Sequence, residues 1–157
     1  MKRLRRIFAT VALAACLMVF GASNSAFALT GFADTMDTAA VMYRAGGGPS
    51  YDITIPLDSP TDHDWYVVDN SGGSDTFWYY VILTPPPGIN LQFQWVRTDA
   101  YNNIIETGFN NFNGPGQEEG RGASAFAGEK TYFRVMPVGY NDYDPSVPYR
   151  FQFVRTD

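Results

Sequence analysis

Apolar and polar residues alternate in short runs along most of this chain, and that period of two predicts strands rather than helices. Tyr51-Asp52-Ile53-Thr54-Ile55-Pro56-Leu57 alternates as a half-buried strand does. Pro56 cannot donate to a ladder, so it belongs at the strand end or on a sheet edge. Trp65 to Val68 is apolar on both faces, and Thr76 to Thr84 (TFWYYVILT) is the most apolar strand beyond the N-terminal region. The latter is expected at a sheet centre and must stop at Pro85-Pro86-Pro87-Gly88, where three residues lack an N–H. Leu91, Phe93 and Trp95 share one face of the next strand, and a shorter one follows at Ile104 to Phe109. Thr131 to Met136 and Tyr149 to Val154 complete the set, with Tyr149, Phe151 and Phe153 facing inward.

The intervening segments read as turns. Asp58 to Asp64, Asn70 to Asp75 and Asp99 to Asn103 are polar, Asn110 to Gly122 reads as a long mobile loop, and Pro137 to Pro148 as an aromatic, acidic loop. Ahead of them, Asp37 to Met42 has a weak helical pattern that Asp37 could cap, broken by Gly46-Gly47-Gly48-Pro49. Seven or eight short strands at regular spacing predict an all-β fold: a single-domain antiparallel β-sandwich, jelly-roll-like. Trp65, Trp78 and Trp95 are all expected in its core.

The N-terminus changes the charge picture. Lys2, Arg3, Arg5 and Arg6 precede an uncharged apolar run from Ile7 to Gly21, and Ala26-Phe27-Ala28 offers the small residues a signal peptidase reads. Residues 1–28 are therefore expected to be a secretory signal peptide, with residues 29–157 as the exported domain, secreted or periplasmic. Leu13-Ala14-Ala15-Cys16 is a lipobox-like alternative that would anchor a lipoprotein at Cys16. Cleavage after Ala28 removes four of eleven basic residues and leaves seven against sixteen acidic ones, a net charge of −9. An acidic domain without clustered Lys and Arg is unsuited to nucleic acid or anionic membranes. The same cut removes the single cysteine, so no disulfide is expected, and no later run is long enough for a transmembrane segment.

Several features together resemble the bacterial pre-peptidase C-terminal domain family. They are the Asp37-Thr38-Ala39-Ala40 lead-in, the glycine-rich break, and Asp62-His63-Asp64-Trp65-Tyr66-Val67-Val68. The Leu91-Gln92-Phe93-Gln94-Trp95 strand, Gly128 ahead of Thr131-Tyr132-Phe133-Arg134-Val135, and the terminal Tyr149-Arg150-Phe151 strand extend the likeness over about residues 34–154. The resemblance implies a secreted, non-catalytic jelly-roll-like module, of a kind that accompanies extracellular hydrolases. It also implies binding of collagen or polysaccharide, sometimes with Ca²⁺. No hydrolase is expected ahead of the module, and Glu129-Lys130-Thr131 separates Gly128 from Tyr132 where the family places Gly closer to its Tyr pair.

Candidate chemistry is sparse. Asp62 and Asp64 could converge on a hard cation such as Ca²⁺, with Asp34, Asp37 and Asp58 added if the lead-in folds back. The same carboxylates could instead accept turn amides, and the Asp-x-Asp-x-Asp-Gly calcium loop is absent. Tyr140 and Tyr143, in a second acidic turn, are candidates for stacking on sugar rings or a protein partner. His63 is the only histidine and reads as a solvated turn residue. No serine sits in Gly-x-Ser-x-Gly, and Glu118-Glu119 lies in a loop poorly suited to holding an acid and a base in register. The expectation is a non-enzyme: an exported module that binds extracellular polysaccharide or protein through its loops. The alternative is a structural subunit of a surface assembly.

Overall fold

A computed structural model describes residues 31–156, so the expected signal peptide, its cleavage site and the Cys16 alternative lie outside the described residues. Nine strands form two facing sheets. They are β1 (Ala40–Arg44), β2 (Ser50–Ile55), β3 (Asp64–Asp69), β4 (Phe77–Thr84), β5 (Leu91–Asp99), β6 (Ile104–Asn110), β7 (Glu119–Ala125), β8 (Glu129–Pro137) and β9 (Tyr149–Arg155). The first sheet runs β1-β3-β8-β5-β6 and the second β2-β9-β4-β7. Without β1, successive strands are dealt between the sheets in the order of a jelly roll. All pairings are antiparallel except β1 with β3, which is parallel.

Strand parity sets the core. Tyr79, Val81 and Leu83 of β4 point inward with Phe151 and Phe153 of β9, against Tyr66 of β3, Phe133 of β8 and Phe93 of β5. Their rings meet across the sandwich, Tyr79 with Phe153 at 5.4 Å and Phe93 with Phe133 at 5.9 Å between centroids. Each such side chain stabilises the fold by about 1.5–3 kcal/mol through burial. A smaller cluster of Val67, Val96 and Tyr132 covers the outside of the first sheet, packed by Met36, Ala39 and Trp65. That second layer is why β3 is apolar on both faces.

Four expectations are corrected. The lead-in is not helical: a single 3-10 turn at Met36–Thr38 gives way to β1. Thr35, not Asp37, caps that turn, because Thr35 and Thr38 exchange side-chain and backbone hydrogen bonds. The loop after Asn110 ends early, as β7 starts at Glu119 and pairs with β4 along its whole length. Trp78 is 61% exposed rather than in the core, since it shares its face with Tyr80 and not with Tyr79. A further correction, to His63, is taken up with the site.

Candidate functional site

The acidic corner forms where the lead-in folds back on β3. The Trp65 amide donates to the Ala33 carbonyl at 2.8 Å, which brings Asp34 to the Asp58–Asp64 turn. Asp34, Asp58 and Asp62 line one open hollow together with His63. Asp62 Oδ2 accepts the Asp58 amide at 2.8 Å and so closes the turn. Burial raises the Asp62 pKa, and the Asp58 and Asp34 charges add to the rise.

Asp64 is committed inward. It is almost fully buried, and its Oδ2 accepts the Tyr149 hydroxyl at 2.5 Å. That hydroxyl is also 2.5 Å from the Tyr66 hydroxyl, giving a carboxylate–Tyr–Tyr chain inside the sandwich. Burial lifts the Asp64 pKa to about 7 against the pull of the Tyr149 hydrogen bond, with Asp62, Asp34 and Asp58 adding repulsion. Asp37 does not join this corner; it lies on the outside of the first sheet near Lys130 and Tyr132. Among the described residues no three His, Cys, Asp or Glu side chains gather closely enough to hold a metal ion. His63 is not a solvated turn residue, since Arg134 Nη2 donates to its Nδ1 at 2.7 Å. Burial and the Arg134 charge both push the His63 pKa down, so the imidazole is held neutral as an acceptor.

The Tyr140–Tyr143 loop divides. Tyr140 is 75% exposed, whereas Tyr143 is half-buried over the sandwich end beside Leu57, Pro86 and Leu91. The acidic residues of this turn close it on itself. Asp142 accepts the Gly139 and Asn90 amides, and Asp144 accepts the Ser146 amide and hydroxyl. Glu118 and Glu119 point apart: Glu118 accepts Thr84 at the surface, and Glu119 is buried, accepting the Phe112 and Asn113 amides at 2.8 and 2.6 Å.

The most prominent exposed feature was not anticipated. Trp78 and Tyr80 (53% exposed) project from β4 on the solvent face of the second sheet, two residues and so about 6.6 Å apart along the strand. Their neighbours leave the rings uncovered. Tyr80 lies opposite Gly122 on β7 and Val154 on β9, and Ile82 opposite Gly120. A side chain at Gly122 would meet the Tyr80 ring at 2.9 Å, so the ring lies over bare backbone. At one margin, Arg150 grips Asp52 through Nε and Nη2, and Gln152 reaches the same carboxylate at 3.4 Å. The Arg150 hydrogen bond holds the Asp52 pKa low.

Around the edge of β7 this face turns into a groove of about 160 Å³ between the sheets. Trp78, Gly122 and Ser124 form its outer lip; Tyr79, Trp95, Arg97 and Arg121 line its interior. Arg121 stacks on the Trp95 ring at 3.8 Å. Arg97 pairs with Glu106 at 3.1 Å and Glu129 at 3.4 Å.

No family model matches the chain, and no curated protein matches it. Several solved structures are similar to part of the chain. The pre-peptidase C-terminal domain of a Bacillus anthracis collagenase is 16% identical over 75% of this chain and 94% of its own, with a TM-score of 0.45. PliG of Aeromonas hydrophila, a periplasmic inhibitor of g-type lysozyme, is 14% identical over 75% and 96%, with a TM-score of 0.45. CorA, a surface-associated copper-binding protein of Methylomicrobium album BG8, is 9% identical over 75% and 98%, with a TM-score of 0.46. No residue role or ligand is carried across at these similarities. The class of protein rests on the chain's own strands: a jelly-roll β-sandwich with an exposed aromatic face.

Proposed function

We propose that this is an exported, non-catalytic module that binds extracellular polysaccharide on the outer face of its second sheet. The observation that carries the reading is the Trp78/Tyr80 pair. Exposed large aromatics on an interior strand lose burial energy that the fold could have kept, and a contiguous apolar patch of this kind marks a binding surface. Two flat rings over a glycine-lined shelf suit the apolar faces of successive pyranose rings. The Asp52–Arg150–Gln152 margin supplies hydrogen-bonding groups for hydroxyls. Retention on an immobilised polysaccharide tests it: Trp78→Ala with Tyr80→Ala should abolish retention while leaving the melting temperature within a few degrees, because neither ring is core. Undiminished retention by that variant rejects this face.

Calcium at the acidic corner would require Asp34, Asp58 and Asp62 to draw closer together than they stand, because Asp64 is occupied by Tyr149. A melting temperature raised by calcium, with the rise abolished by Asp58→Asn, supports that role. Identical melting in calcium and EDTA removes the ion from the account.

One observation favours a second reading as a subunit of a surface assembly. The edge strand β6 exposes Ile104, Ile105 and Phe109 beside unpaired backbone groups, and Glu106 is its only charge.

A further inference from the structure

The groove around β7 is lined by two arginines, Arg97 and Arg121, and by the carboxylate of Glu106, which is already engaged by Arg97. Arg121 forms no ion pair or hydrogen bond among the described residues, and its only recorded partner is the Trp95 ring. Beneath the groove surface Arg97 Nε and Arg121 Nε are buried without a hydrogen-bond acceptor. Tyr79 is wholly enclosed, with the Thr131 hydroxyl beside its own. Burial pushes its pKa to about 12, so the hydroxyl stays protonated. Unanswered buried donors are costly, typically 1–3 kcal/mol each, and are uncommon without a purpose. Both arginines line the one hollow, in a chain whose net charge is −5.

We infer that this groove takes the carboxylate-bearing ring of a hexuronic acid residue in a glycan. The inference rests on the polysaccharide reading above and specifies its ligand. Charge decides the functional group, since the unpaired Arg121 fork matches a carboxylate in two parallel hydrogen bonds. Arg97 adds less, because Glu106 and Glu129 already engage it. The groove's volume of about 160 Å³ limits it to one ring rather than a longer segment. Position decides the polymer, since Trp78 borders both the groove and the aromatic face. A chain stacked on Trp78 and Tyr80 can therefore turn one residue over the β7 edge. The overall negative charge disfavours a dense polyanion, so the acidic residue is terminal or widely spaced.

Nuclear magnetic resonance titration of the whole domain with methyl glucuronide and with methyl glucoside tests this. The glucuronide should bind at least about tenfold tighter, with the advantage shrinking as salt rises. Arg121→Gln should bring the two affinities together while binding of the glucoside is kept. Equal affinities of the unmodified protein overturn the inference and leave the polysaccharide reading standing. Acetate competing as strongly as the glucuronide would reveal a bare anion site and also overturn it. Binding of neither glycoside, nor of longer glycans, overturns both.

Discussion

Asp64 shows how one residue can serve the fold at the expense of its own ionisation. Burial raises its pKa to about 7 in the folded protein, whereas the unfolded chain titrates near 3.8. Through this group the folded state binds more protons between those values, so the Asp64 contribution to stability is fully present below about pH 4. It falls as pH rises through 7, by on the order of 4 kcal/mol at ~1.4 kcal/mol per pKa unit. Thermal melts across pH 4 to 8 should show this decline. Asp64→Asn keeps an acceptor for Tyr149 without the charge, so it should flatten the profile; an unchanged slope in that variant would assign the dependence to other groups. The sequence showed that Asp34, Asp62 and Asp64 could converge, because Asp-x-Asp at a strand entry is legible. It did not show that Asp64 faces the core, which depends on Tyr149 lying 85 residues away. Asp37 was misplaced because the Thr35–Thr38 capping box, a local feature, turns it to the outside.

At the scale of elements, strands with clean alternation were legible and those held by their neighbours were not. β9 follows parity from end to end, and β5 does so from Leu91 to Trp95. β7 (EGRGASA) has little apolar character, and its strand form comes from seven register partners on β4. Missing β7 also hid the exposed face, because Gly122 and Ser124 are what stand beside Tyr80 and Trp78. β4 was apolar on both sides, so its pattern could not distinguish the core face from the platform. Glycine acts similarly on β6, where a side chain at Gly108 would come within 2.6 Å of the Trp95 ring. The β6 edge itself makes a prediction. If it mediates assembly, sedimentation should show concentration-dependent self-association that Ile105→Lys abolishes, since an edge lysine blocks pairing. A monomer at all concentrations leaves that edge without a role in assembly.

The whole molecule combines two surfaces with opposite characters. The corner at the start of β3 is acidic and largely occupied by its own hydrogen bonds. The outer face of the second sheet is aromatic, and polar groups at its margin are paired with one another. The three tryptophans separate these regions: Trp65 on the outside of the first sheet, Trp95 buried beneath Arg121, and Trp78 on the platform. Their indole N–H resonances therefore report ligand position directly. Titration with a neutral oligosaccharide should shift the Trp78 resonance progressively and leave Trp65 unchanged. A titration that shifts Trp65, or that leaves Trp78 unmoved while the glycan binds, would contradict the central claim.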